Sequence, residues 1–210
     1  MRKNEPMPAF GRRAACSAAL LAALAPAGCT PGPNYSPQDW VSLPPDAVVG
    51  AGDPTRTAII NTAYAFGTPA SLAGRPAEAA VAAAQLDYMA SEITFGPRWR
   101  EFDPTVGLLL RQARQEVRGY LGLSQQAAPQ AVIDGLYGAS RALRVNDTAA
   151  AERILSSLAP NPRQTLAHLT AMPLLPTANQ ATARAAQELD RVGRIGDRGR
   201  NGGGGGGGRQ

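Results

Sequence analysis

Apolar positions recur at helical spacing through most of the chain between residues 53 and 193. After Pro54, Ile59, Ala63 and Phe66 fall on one face, and Gly67 closes the run. From Pro76, the series Ala79, Ala83, Leu86, Ala90 and Ile93 continues for about four turns. Val106, Leu109, Leu110, Ala113, Val117, Tyr120 and Leu121 form a stripe that stops at Gly122, with Arg111, Arg114, Gln115 and Arg118 mostly off it. Val132, Ile133, Leu136, Tyr137 and Leu143 make the next face, interrupted by Ser140. Shorter runs follow at Ala151, Ile154, Leu155 and Leu158, and at Leu166, Leu169 and Met172. A last run holds Ala178, Ala181, Ala185, Leu189 and Val192. No stretch alternates apolar and polar residues long enough to predict a strand.

Start signals agree with the periodicity. A polar residue before a proline at the first helical position occurs at Asp53-Pro54, Thr68-Pro69, Asp103-Pro104 and Asn161-Pro162. Thr177 with Gln180 reads as a capping box, and Asp147 caps the segment after it. The pattern predicts an all-α domain over residues 53–193, a helical bundle or helical-hairpin array of six to seven helices. Breaks are expected near Gly67 and at 95–102, 122–128, 145–147 and 173–176. The segments 74–79 and 146–151 resemble the turn into the second helix of tetratricopeptide-type hairpins. The large residues of the first helix do not keep a fixed 34-residue period, however, and any bundle of antiparallel pairs has similar turns.

The ends read differently. Arg12-Arg13 is followed by an uncharged apolar run over residues 14–27 that holds Leu20, Leu21 and Leu24. A positive flank and a short apolar run are what a secretory signal needs. As a helix the run would span only ~21 Å, short of the ~30 Å hydrocarbon core of a bilayer. The sequence Leu24-Ala25-Pro26-Ala27-Gly28-Cys29-Thr30 resembles the cleavage site of bacterial lipoproteins, although Pro26 stands where that family has an aliphatic residue. The resemblance covers residues 1–29. It implies a signal peptide over 1–28, a diacylated Cys29 at the mature N-terminus, and a membrane partner reached through that lipid. In a diderm host Thr30, which is not acidic, implies sorting to the outer membrane. A second reading takes Ala25-Pro26-Ala27 as an ordinary signal-peptidase site, which releases a soluble periplasmic protein. The other cysteine, Cys16, lies inside the apolar run and is lost on cleavage, leaving Cys29 with no partner for a disulfide.

Residues 29–52 contain Pro31, Pro33, Pro37, Pro44 and Pro45 and read as a stiff tether. Residues 194–210, with seven consecutive glycines among a few arginines, read as a disordered tail. Composition supports a helical body: hydrophobic residues make up 44% but aromatics only 5%, so alanine and leucine must build the core. The net charge of +5 invites a nucleic-acid reading, but it sits at the ends. Residues 1–28 carry +3 and 194–210 carry +3, whereas 29–193 hold 13 Arg against 14 Asp plus Glu. A body without excess positive charge offers no electrostatic footprint for DNA or RNA.

The sequence presents no catalytic, cofactor-binding or metal-ligating constellation. His168 is the single histidine and has no cysteine or second histidine with which to share a metal. The densest polar–aromatic stretch is Phe95-Gly-Pro-Arg-Trp-Arg-Glu-Phe-Asp-Pro104. Within it Trp99, Arg100 and Glu101 are the candidate binding patch, because Trp and Arg are favoured anchors at interfaces. Glu101 and Glu92 also allow a second function class, a periplasmic cell-wall enzyme working through a carboxylate pair. Glu101 is expected to pair with Arg98 or Arg100, and Asp103 to cap a helix. The expectation is therefore a cell-envelope lipoprotein with a helical assembly or partner-binding body. Its partners are the membrane and another envelope protein.

Overall fold

Asp53 shows how the helices of this chain begin. Its carboxylate accepts the backbone N–H groups of Thr55 at 3.0 Å and Arg56 at 3.4 Å, and Pro54 supplies a first helical residue with no N–H to satisfy. The same device recurs at Asp103 with Thr105 at 2.9 Å and at Asn161 with Gln164 at 3.3 Å. Asp147, without a proline, accepts from Ala150 at 2.8 Å.

The computed structural model describes residues 40–47 and 52–201. The signal segment, Cys29 and its lipidation, the tether before Trp40 and the glycine run of the tail lie outside the described residues. Seven helices follow one another there: α1 (Pro54–Gly67), α2 (Pro76–Phe95), α3 (Pro104–Leu121), α4 (Pro129–Arg144), α5 (Thr148–Leu155), α6 (Pro162–Thr170) and α7 (Pro176–Asn201). No strand occurs among the described residues. The fold is an all-α bundle, as the periodicity predicts.

At its centre is α2, which packs against α1, α3, α4 and α6. The sequence pattern predicts one apolar stripe on α2, but burial covers almost the whole circumference. Ala80, Ala82, Ala84, Met89 and Tyr88 are buried as well as Ala79, Ala83, Leu86 and Ala90. Alanine makes this geometry work, because a helix with methyl side chains admits neighbours close on several sides. The last helix, α7, packs against α1 and α3 through Ala178, Ala181, Ala185 and Leu189. Ser140 is buried on the apolar face of α4 that it was expected to interrupt.

Three local expectations are corrected. Thr68 makes no side-chain cap bond, and Pro69 opens only a three-residue 3-10 turn, Pro69–Ser71. The chain must reverse quickly there, and Gly74 supports the reversal with a φ of 71°. Thr177 does not cap a helix either. Helix α7 already begins at Pro176, and a carboxylate from another helix receives the N–H of Thr177 (Glu116, 3.2 Å). The same helix continues past residue 193 to Asn201, into the segment read as tail. Its glycines cost about 1 kcal/mol each relative to alanine but do not forbid helical backbone.

Part of the segment read as a tether is fastened to the body. Ser42 donates its N–H to the Gln130 side-chain carbonyl at 2.8 Å and accepts from the same amide at 3.1 Å. Asp46 receives two bonds from the Arg141 guanidinium, at 2.8 and 2.6 Å. Val41, Leu43 and Ala47, beside these clasps, pack against the core. The contact also gives Asp46 a carboxyl below the ordinary range, chiefly through its hydrogen bond with Arg141.

Candidate functional site

The patch singled out in the sequence is divided by the fold. Trp99 is only 8% exposed, so it is a core residue and not a surface anchor. Its indole N–H donates to Glu92 at 3.1 Å, and its ring meets Phe102 edge-on with centroids 4.9 Å apart. Arg98 lies over the same indole, 5.1 Å from its centroid, and pairs with Asp53, not with Glu101. Arg100 and Glu101 are exposed, and the Glu101 backbone carbonyl accepts from Arg191 at 2.6 Å. A shallow cavity of about 300 Å³ beside them is lined by Trp99, Arg100, Asp103 and Arg111. Glu92 borders a different depression, of about 160 Å³, with Trp40, Phe95 and Arg98. The two carboxylates proposed for wall chemistry thus have separate surroundings, one of them engaged by an indole.

His168 stacks on Tyr120, with ring centroids 4.6 Å apart and planes 24° from parallel. Among the described residues, no group of three or more His, Cys, Asp or Glu converges as a metal site would require.

A second candidate site lies where α1, the turn after it, α2 and the end of α4 meet. The cavity there holds about 230 Å³. Asn61, Tyr64 and Ala65 come from α1, and Ser71, Leu72 and Arg75 from the reversing turn. Glu78, Val81, Ala82 and Gln85 face it from α2, with Arg144 from the C-terminus of α4. Ala65 and Ala82 leave the space, since larger side chains at those positions would fill it. Leu72 and Val81 give it an apolar wall, and Tyr64, 66% exposed, stands at its edge.

Polar groups in this cavity are incompletely matched. Gln85 is 1% exposed, and its amide nitrogen donates to the Tyr137 hydroxyl at 3.3 Å. Its amide oxygen is buried without a hydrogen-bond partner, and so is the Ser71 hydroxyl. An unsatisfied buried polar atom costs about 1–3 kcal/mol, so two around one cavity need an explanation. Burial raises the Tyr137 phenol above its ordinary range, which keeps it a neutral hydroxyl beside Gln85. Arg75 and Arg144 are exposed on the rim and form no ion pair with a described residue. Arg144 has Asp46 in range, but Arg141 already occupies that carboxylate.

The residues of this site carried a weak signal in the sequence. Gln85 interrupts the alanine-rich stretch of α2, and a polar side chain there must either find a partner or face a cavity. Nothing local connects it with Ser71 or Arg144. Compared with protein-family models, curated proteins and solved structures, the chain matches none. Its function must be argued from its own residues.

Proposed function

We propose that the chain is a cell-envelope lipoprotein, held through an acylated Cys29 in the outer membrane, whose helical body is a non-enzymatic binding module. The observation that carries this reading is the small-residue run Ala27-Gly28-Cys29 directly after a positive flank and an uncharged apolar stretch. Two further features support it. Among the described residues no helix is long and apolar enough to cross a membrane. The clasp of residues 40–47 on α4 leaves residues 30–39 as the connection between Cys29 and the body. In an extended proline-rich conformation the step from Cys29 to Trp40 measures about 34 Å, at ~3.1 Å per residue. Such a spacer would hold the body away from the bilayer surface.

Replacing Cys29 by Ser tests the anchor. The expected result is loss of labelled palmitate and transfer of the protein from the membrane to the soluble fraction. One acyl chain gives only marginal attachment, so a two- or three-chain anchor should also resist salt washing. Wild-type protein that is soluble and begins at Gly28 would show that Ala25-Pro26-Ala27 is the cleavage site, and would sink the anchor while leaving export in place.

A further inference from the structure

We propose that the cavity between α1, α2 and the end of α4 binds the carboxylate end of an N-acylated amino acid, either free or as the last residue of a peptide. The inference rests on reading the body as a binding module, and is independent of the anchor at Cys29.

Three kinds of group around the cavity each ask for one part of such a ligand. Arg75 and Arg144 sit on its rim and form no ion pair with a described residue, and a guanidinium recognises a carboxylate through paired N–H donors. Glu78 shares that rim, so the local balance is a single positive charge. That balance suits a monocarboxylate better than a phosphate, which brings up to two negative charges. Below the rim, the buried oxygen of Gln85 lacks a donor. The amide N–H of an acylated amino acid lies next to its carboxylate and can supply one. If the Gln85 amide is turned over, Tyr137 donates to its oxygen and the amide nitrogen is presented instead, ready for the acyl carbonyl. The Ser71 hydroxyl serves as donor or acceptor in either arrangement. Leu72, Val81 and Ala82 then offer contact to an aliphatic side chain.

Size points the same way. Pockets for drug-sized molecules run from about 300 to 1,000 Å³, and this cavity, at about 230 Å³, is smaller. It has room for one residue and its terminal carboxylate, leaving any preceding peptide outside along the exposed face of α1 near Tyr64. The cavity beside Arg100 and Arg111 also presents two cations, but no buried atom without a partner lines it.

Isothermal titration of the purified full chain with N-acetyl-alanyl-alanyl-leucine tests the proposal. The C-terminal amide of the same peptide, N-acetyl-leucine and inorganic phosphate are the comparison probes. The acid should bind saturably and the amide at least about tenfold more weakly, because the amide lacks the charge that the arginines recognise. Arg75→Gln and Arg144→Gln should each weaken the acid by about tenfold and leave the amide unchanged. Gln85→Leu should weaken both, and circular dichroism must show that it still folds. The two arginine variants, at exposed positions, keep the test standing if it does not. Tighter binding of the tripeptide than of acetyl-leucine identifies a peptide end as the ligand, and equal binding identifies the free acylated residue. No saturable binding of the acid overturns the site. So does equal binding of acid and amide, or phosphate binding as tightly as the peptide. Loss of palmitate with peptide binding intact removes only the anchor, whereas an intact anchor without peptide binding removes only this site.

Discussion

Arg118 of α3 closes a two-pronged ion pair on Asp87 of α2, with Nε 2.6 Å from one carboxylate oxygen and Nη2 2.8 Å from the other. Both side chains are 3% exposed. The remaining nitrogen, Nη1, reaches the backbone carbonyls of Ser124, Gln125 and Ala127 at 3.4, 3.3 and 2.9 Å. One guanidinium thus joins two helices and fixes the loop that turns the chain from α3 into α4. Arg114 bonds the Asp87 backbone carbonyl at 2.9 Å and Ser91 at 2.6 Å, and its Nε stands 3.4 Å from the Asp87 carboxylate, so that charge faces two guanidinium groups. Burying an ion pair carries a large desolvation cost, and only this degree of matching offsets it.

Removing one partner should therefore be severe. Arg118→Met keeps the length of the side chain but leaves Asp87 with the longer contact to Arg114, at 3.4 Å. It also removes a donor from three loop carbonyls. The expected loss is about 3–5 kcal/mol of unfolding free energy, measured by urea denaturation. Amide exchange in the loop over 122–128 should quicken even under conditions where the protein stays folded. A loss below ~1 kcal/mol would mean that Arg114 keeps the Asp87 carboxylate satisfied without Arg118.

Acid should weaken the fold through three carboxylates. The hydrogen bond from Arg191 holds Glu188 below the ordinary carboxylate range. The backbone N–H of Thr105 does the same for Asp103, and Arg141 for Asp46. A carboxylate with a depressed folded pKa binds its proton more readily in the unfolded chain. Its contribution is therefore complete above the unfolded value, about 4, and drains away as pH falls through the folded value. The urea midpoint should be flat from neutral pH to about pH 5 and then decline. Glu188→Gln should make that decline shallower. Unchanged steepness in the variant would assign acid sensitivity to the other two groups.

What the sequence made legible was local. A cap and the proline after it are adjacent in the chain, so the starts of α1, α3 and α6 could be read directly, as could most breaks. The ends of α3 and α4 followed from Gly122 and from the polar residues near 146. Partnerships across the fold could not be read. Asp87 and Arg118 lie 31 positions apart, and Ser42 and Gln130 88 apart, with no periodic relation between them. Trp99 misled for the same reason: a tryptophan among charged loop residues resembles a surface anchor until Glu92 receives its indole. The cavity around Gln85 depends on four segments, and only the lone glutamine among alanines signalled it.

Two glycines should respond to the same substitution with opposite signs. Gly122 ends α3 with a φ of 70°, a conformation costly for residues with a side chain. Gly122→Ala should therefore destabilise by about 1–2 kcal/mol. Gly193 lies within α7, its φ is not positive, and an added Cβ would meet nothing within 4 Å. Gly193→Ala should stabilise by about 0.5–1 kcal/mol. Thermal melts of the two variants give the comparison. A neutral Gly193→Ala would indicate that α7 frays before that residue.

The start of α7 has its acceptor on a neighbouring helix. Glu116 of α3 receives the N–H of Thr177 at 3.2 Å and that of Ala178 at 2.8 Å. A carboxylate at this position does two things at once: it satisfies first-turn N–H groups, and it places negative charge at the positive end of the helix dipole. It also joins α3 to α7, at the opposite end of α3 from Asp103, whose N–H donates to Glu188 of α7 at 2.8 Å. Glu116→Ala should cost about 1 kcal/mol, within the 0.5–2 kcal/mol typical of lost caps. Glu116→Gln keeps an acceptor but loses the charge, so its stability should fall between alanine and wild type. Hydrogen exchange separates this from a general loss of packing. Protection at Thr177 and Ala178 should fall more than protection at Ala185, whose methyl contacts are untouched. Equal losses at all three would mean that α7 opens as one unit and that Glu116 holds the helix in place as well as capping it.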